Sequence, residues 1–238
     1  VVTLANQGYT TTTNAEGIIT KNEYDRYNFN VRNTTKFLND KMTLDVGFSY
    51  IIQEDQNLMA QGEYFNPLPA VYLFARGEDF NAVRTYKTWD PSRGIYVQNW
   101  KYGDQGISMQ NPYWQSQQNT YGTKHQRYMA NASLKYQVLD WLDITGRVRI
   151  DNSNNFFEDK RYADTDIKFT SNSEKGFYKW QKIDDRQVYA DLMATANKTW
   201  DNFSLGATAG VSFTQLYYDL HGYQGGLQDI PNLFKNKN

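Results

Sequence analysis

The sequence predicts an all-β chain: one arc of an antiparallel, up-and-down transmembrane β-barrel of about six long strands, with short turns at one end and long loops at the other. Three observations predict it. Apolar and polar residues alternate over stretches of roughly 10 to 12 residues, about twice the usual length of a soluble strand. Tight turns and long links take turns along the chain. Aromatic residues gather near the strand ends. A repeat of two places successive side chains on opposite faces, which is the signature of a strand.

The elements follow in order. Residues 28–37 set Phe29, Val31, Thr35 and Phe37 against Asn28, Asn30, Arg32 and Lys36. Residues 42–53 open with Met42, Leu44, Val46, Phe48 and Tyr50 on one side and Thr43, Asp45, Gly47 and Ser49 on the other. Residues 127–138 carry Tyr128, Ala130, Ala132, Leu134, Tyr136 and Val138 together, and 142–151 repeat the pattern with Leu142, Ile144, Gly146, Val148 and Ile150. Residues 187–197 offer Val188, Ala190, Leu192, Ala194 and Ala196; residues 203–214 offer Phe203, Leu205, Ala207, Ala209, Val211 and Phe213. None of these stretches contains Pro, which would remove a ladder donor.

Leu38-Asn39-Asp40-Lys41, Leu139-Asp140-Trp141 and Lys198-Thr199-Trp200-Asp201-Asn202 read as the tight turns of three antiparallel hairpins. The other links are long, about 54–126 and 152–186, and long loops are usually functional. Short periplasmic turns opposite long extracellular loops is the layout of outer-membrane barrels. Phe37, Trp141, Trp200 and Phe203 stand at the short-turn end, and Tyr27, Tyr50, Tyr128 and Tyr217 toward the long loops. Rings that are apolar at one end and wet at the other favour the lipid headgroup level.

Composition sets further bounds. The chain of 238 residues has net charge -1, so nothing draws it in bulk to nucleic acid. It has no Cys, which excludes disulfides and thiolate chemistry. Mean hydropathy is -0.77, and no apolar run reaches the roughly 20 residues of a membrane helix. About five apolar side chains per strand face one way, each worth roughly 1.5–3 kcal/mol when buried, so that face has to be hidden. Lipid or a second sheet can hide it; the second choice is a soluble β-sandwich.

The opposite face is charged and polar. Asp143, Thr145, Arg147, Arg149 and Asp151 share it on one strand, and Arg127, Asn131, Ser133, Lys135 and Gln137 on its neighbour. A water-filled or plugged lumen suits them. Arg147 and Arg149 are candidates for contact with a plug or an anionic substrate group. The simpler reading is lateral pairing with Asp143, Asp151 or neighbouring carboxylates. About six strands do not close a barrel around loops of this size, because the smallest such barrels have about eight. Lipid cannot satisfy free strand edges, so the chain is expected to be one arc of a larger wall.

The loop at 54–126 is rich in rings, among them Tyr64, Phe65, Tyr72, Phe74, Phe80, Tyr86, Tyr96 and Tyr102. Residues 78–85 suggest a short helix with Phe80 and Val83 on one face, and "TYKTWDPSRGIYVQNW" a hairpin turning at Asp90-Pro91-Ser92-Arg93-Gly94. Exposed rings can stack on sugars or anchor a partner protein; the alternative is that they form a core of the loop's own. Trp89, Trp100, Tyr113 and Trp114 are the candidate substrate or partner contacts. Tyr113 and Trp114 follow Pro112, which points to a fold role for them first.

"DRYNFNVRNTTKF", "ISMQNPYW" and "RYMANASLKYQVLDWLDITGRVRID" together resemble the barrel region of SusC/RagA-type TonB-dependent transporters. The telling combination is Asn111-Pro112-Tyr113-Trp114, then Arg127, then Leu139-Asp140-Trp141-Leu142. The resemblance covers roughly residues 22–213. It implies a barrel of about 22 strands around a plug, in a Gram-negative outer membrane and in contact with its lipid. It also implies a SusD-like surface lipoprotein as partner, oligosaccharide or peptide as cargo, and energy relayed through the TonB complex. This stretch, 1–238, carries no recognisable plug domain or TonB-contacting segment, so the TonB contact is expected through parts absent from this chain.

An enzyme is not expected, nor a cofactor or metal. His125 and His221 lie far apart with no metal-ligand spacing between them. "DNSNN" at 151–155 lacks the turn Gly and the later Glu of a calcium loop. Asp184-Asp185 beside Arg186 reads as a solvated loop, and no Gly-rich phosphate loop is present. Two rivals to the importer remain: a soluble carbohydrate-binding β-sandwich, and an outer-membrane barrel that does not transport.

Overall fold

In a computed structural model, residues 2–13, 18–57 and 65–236 are described, the side chains from residue 23 onward. One antiparallel sheet dominates. It is built of β1 (Val2–Thr13), β2 (Ile18–Phe37), β3 (Met42–Gln56), β6 (Thr120–Leu139), β7 (Leu142–Tyr162), β8 (Gly176–Trp200) and β9 (Phe203–Gly226). These strands lie side by side in chain order, which makes an all-β up-and-down meander of seven strands. A separate two-stranded ribbon, β4 (Lys87–Asp90) with β5 (Ile95–Gln98), sits in the long loop. Two short helices, α1 (Leu68–Tyr72) and α2 (Pro112–Gln117), flank it.

The structure corrects the sequence reading in two respects. There is one strand more than expected, because β1 pairs with β2 from Val2↔Val31 to Thr13↔Ile18. The strands are also longer: β2 and β6 have 20 residues, β7 has 21, β8 has 25 and β9 has 24. The link expected over 152–186 therefore shrinks to residues 163–175, and the one over 54–126 to 57–119. Likewise Lys198, Thr199 and Trp200 belong to the ladder, and only Asp201 and Asn202 turn the last hairpin.

The turns show why these residues reverse the chain. Leu38, Asn39 and Asp40 all take left-handed backbone angles, φ 56°, 53° and 65°, and Lys41 N donates back to Leu38 O at 3.2 Å. Asn and Asp tolerate that region best among residues with side chains. At the other end Gly176 starts β8 with φ 110°, where a Cβ would sit 2.6 Å from Arg161 O. Only glycine fits there.

Register turns the alternation into rows. Val46, Ala132, Val148, Ala190 and Phe213 are consecutive partners across β3, β6, β7, β8 and β9. One residue along, Thr34, Asp45, Ser133, Arg147, Asp191 and Ser212 form the next row on the opposite face. No described layer covers the apolar rows: Val148 is 53 % exposed and Phe213 58 %. The apolar face ends at the row Phe29, Tyr50, Tyr128, Asn152, Arg186 and Tyr217. From Leu142 to Asn152 a strand climbs about 33 Å, which a tilt of about 40° makes a band about 25 Å tall, the height of the apolar belt on membrane barrels. Three polar residues interrupt it: Asn33 and Thr35 on β2 and Gln215, the partner of Val188, on β9. Asn33 pairs with Val46, and its Oδ1 accepts the Thr35 hydroxyl at 2.7 Å.

Beyond that row the strands continue toward the long-loop end, but both faces turn polar or mixed. β7 adds Ser153–Tyr162 and β8 adds Gly176–Asp185. No described helix is long and apolar enough to cross a membrane.

Candidate functional site

The polar face is a lattice of lateral ion pairs. Asp151 Oδ1 and Oδ2 accept Arg127 Nε and Nη2 at 2.8 and 2.7 Å, and Oδ2 also accepts Arg149 Nη2 at 3.0 Å. Arg147 Nη2 lies 2.8 Å from Asp191 Oδ2, and its Nε sits 3.0 Å from both carboxylate oxygens. Lys135 meets Asp143 at 2.8 Å, and Asp45 accepts Arg32 Nε at 3.1 Å and the Thr34 hydroxyl at 2.6 Å. Cross-strand neighbours are close enough for such pairs, and here each carboxylate is shielded more than its cation. Arg147 and Arg149 thus have partners in the wall, as the simpler reading held. Asp191 rather than Asp143 is the acid that holds Arg147. Their outer parts, together with Ser49, Met129, Asn131, Gln187 and Tyr189, line a hollow of about 590 Å³.

At the long-loop end the chain builds a small body with its own core. Val83 and Tyr113 are buried together, with Val71, Phe74, Phe80, Tyr86, Trp100 and Tyr102 packed around them. Asn111, fully enclosed, organises it. Its Oδ1 accepts Tyr113 N and Trp114 N at 2.9 and 3.4 Å as the cap of α2, while its Nδ2 donates to Val83 O and Asn99 O at 2.9 Å. Pro112 follows at the first helical position, where a missing N–H does no harm. Asn-Pro at a helix start was the local signal that could have identified Asn111 as an organiser from sequence.

The helix expected near residues 78–85 is a 3-10 turn, Phe80–Arg84, capped by Asp79 Oδ1 accepting Asn81 N at 2.9 Å. The expected hairpin is the β4–β5 ribbon. Asp90 Oδ1 accepts Ser92 N and Oγ at 2.9 and 2.6 Å, and the Ser92 hydroxyl is the main reason its carboxyl titrates below the ordinary range. Lys101 bonds to Glu78, and this bond, aided by Tyr102 Oη at 3.1 Å, holds the Glu78 carboxyl below its usual value.

Other segments lock this body in place. Asp164 accepts Arg93 Nη1 at 2.6 Å and Gln98 N at 2.7 Å. Trp114 Nε1 donates to Thr165 Oγ1 at 3.0 Å, and Thr165 Oγ1 donates to Asn119 Oδ1 at 2.9 Å. The β7–β8 link that supplies Asp164 and Thr165 is itself tied to the C-terminal segment, where Asn232 Oδ1 accepts Ala163 N at 2.7 Å.

The four aromatic candidates separate. Trp89 is 54 % exposed and packs edge-on to the exposed Tyr96, centroids 5.2 Å apart, with Lys87 Nζ 5.1 Å from the Tyr96 ring. Trp100 is half-buried, stands 4.8 Å from Tyr102, and donates its indole N–H to Gly103 O at 2.9 Å. Tyr113 and Trp114 are corrected: both are buried, Trp114 to 1 % exposure, and offer no face to a ligand as they stand. Tyr64 lies outside the described residues. Among the described residues no cluster of His, Asp or Glu is placed to hold a metal ion.

No protein-family profile and no curated protein matches the chain. A solved structure does: the RagAB peptide importer in its "closed-closed" state, at 16 % identity, with a TM-score of 0.58 over 91 % of this chain and 23 % of that one. The chain therefore spans less than a quarter of the length of the protein it matches. At that identity the likeness is one of fold: a long-stranded antiparallel wall with its loops at one end.

Proposed function

We propose that this chain is a stretch of wall and mouth from an outer-membrane β-barrel importer, with its apolar band in lipid and its ion-paired face lining the aqueous passage. The observation that carries the reading is the registered apolar band: it runs about 33 Å along the strand from Leu142 to Asn152, a length that matches the belt of membrane barrels at their usual tilt, and it is uncovered by any described layer and backed by a face of paired charges. A soluble sandwich needs a second sheet over that band, and the only other described sheet is the β4–β5 ribbon in the loop.

The loop body forms the extracellular rim in this reading. Trp89 and Tyr96 present a rigid pair of rings there, the type of anchor that partner surfaces favour. A SusD-like lipoprotein resting on the rim, and glycan or peptide passing beneath it, complete the proposal. TonB coupling belongs to parts of the parent protein outside this chain.

This chain contains no Cys, so a label placed in it has no competitor there, and any Cys elsewhere in the full-length protein is first replaced by Ser. In the full-length protein reconstituted in liposomes, Cys with a polarity-sensitive dye is placed at Val148 and, separately, at Gln187. The Val148 probe should report hydrocarbon and be quenched by lipid-borne quenchers, and the Gln187 probe should report water. The same aqueous signal at both sites refutes the wall assignment. Uptake of labelled oligosaccharide or peptide by cells then separates an importer from a barrel that does not transport.

A further inference from the structure

Where α2 meets the upper part of the wall, a second hollow of about 290 Å³ opens between Phe65, Gln115, Asn119, Tyr121, Phe157 and Arg161, with Asp159 beside them. Its charges are already spent. Arg161 Nε and Nη2 hold Asp159 at 3.2 and 2.6 Å, Nη1 donates to Phe169 O, and the guanidinium lies 4.2 Å from the Phe65 ring centre and 4.6 Å from that of Phe177. What remains unsatisfied is neutral. Gln115 is 8 % exposed and its Oε1 has no partner; Asn119 is 5 % exposed and its Nδ2 has none. Asn119 is held in place by its other atom, Oδ1, which accepts Tyr162 N at 3.2 Å and Thr165 Oγ1 at 2.9 Å.

A buried acceptor and a buried donor without partners are each destabilising; the two residues that carry them both line this ring-walled hollow, with the two atoms closed off from its open space until a side chain turns. The terminal torsion of Gln is soft, so its oxygen can turn toward the hollow.

We infer that this hollow is a subsite for the acetamido group of an N-acetylated sugar. The acetamido carbonyl accepts from Asn119 Nδ2, its N–H donates to Gln115 Oε1, and its methyl and the sugar's C–H face lie on Phe65, Phe157 and Tyr121. A peptide amide offers the same donor and acceptor. Peptides, however, are commonly gripped along a free strand edge, and β6 and β7, which supply Tyr121, Phe157 and Arg161, are paired on both sides. A carboxylate or ammonium ligand finds no unpaired countercharge. The inference rests on the reading of the polar face as the wall of an aqueous passage, but it is tested by binding and not by uptake.

Purified full-length protein in detergent is titrated calorimetrically with a short N-acetylglucosamine oligosaccharide, its de-N-acetylated counterpart, and an alanine oligopeptide. The N-acetylated sugar should bind about tenfold tighter than either, and Gln115→Leu should lose about that factor, the worth of roughly one hydrogen bond, while melting no lower than the parent protein. Phe157→Leu, which keeps the strand and trims the ring, should weaken the same ligand selectively. Equal binding of the de-N-acetylated sugar, preference for the peptide, or full affinity in both variants overturns the inference. Binding with these preferences in a protein that fails the lipid-probe test would leave the subsite standing and remove the importer.

Discussion

Trp114 Nε1 donates to Thr165 Oγ1 across 3.0 Å, and through it a residue of the first long loop is tied to the loop between β7 and β8. The two residues are 51 positions apart in sequence and both are buried. Trp114→Phe keeps most of the packing and removes the bond, so it should cost about 1 kcal/mol. Trp114→Ala should cost about 3–5 kcal/mol. Hydrogen exchange of the loop amides in the intact protein reads both, and equal protection in all three forms would refute the tie.

The two faces of the wall predict opposite tolerances. Val148→Arg puts a cation at mid-height of the apolar band and should cost about 2–4 kcal/mol in urea unfolding from liposomes. Gln187→Arg, on the polar face, should stay within about 0.5 kcal/mol. A similar cost for both would mean that neither face meets hydrocarbon.

Asp151 serves two cations, Arg127 and Arg149. Replacing it by Ala leaves two guanidiniums facing each other, whereas Arg149→Ala leaves the Arg127 pair intact. Asp151→Ala should therefore lower the denaturation midpoint more than Arg149→Ala, and Arg127→Ala should fall between them.

Glu78 gives the loop body an acid limit. Its carboxyl is held below the ordinary value, first by Lys101 and then by Tyr102. Its contribution is complete above the ordinary carboxylate range and fades as pH falls through the lower, folded value. Loop protection in hydrogen exchange should drop in that acidic window, and Glu78→Gln should flatten the drop while lowering protection at neutral pH.

Trp89 and Trp100, paired by the sequence, should behave differently. Trp89→Ala should leave the melting temperature unchanged and weaken binding of a rim partner, whereas Trp100→Ala should loosen the loop core around Tyr102. Binding of any surface lipoprotein that co-purifies with the full-length protein, measured beside thermal melting, distinguishes the two effects.

Legibility in the sequence followed the contrast between faces. Between Leu142 and Ile150 one face is apolar and the other polar, so the pattern alternates and the strand can be read. From Ser153 to Tyr162 both faces are polar or mixed and the alternation lapses, although the ladder continues unbroken to Tyr162↔Gly176. β1 escapes the pattern for a similar reason: its run from Thr10 to Thr13 carries no apolar contrast. The hairpin at Asp90–Gly94 was legible because turn chemistry is local. The enclosure of Trp114 was not, since a ring in a loop reads the same whether it faces inward or outward until Thr165 is brought beside it. Gln115 and Asn119 carried no signal at all, because an unpaired amide is a property of three-dimensional surroundings.

The lengthened upper strands have a consequence for reach. If the band marks the bilayer, Ser153–Tyr162 and Gly176–Asp185 raise the rim on a parapet about 25 Å above the headgroups, at roughly 3.3 Å per residue and a tilt of about 40°. A saccharide coat of that depth around the protein would be overtopped rather than penetrated, and a bulky visitor would meet Trp89 before it met the cell surface.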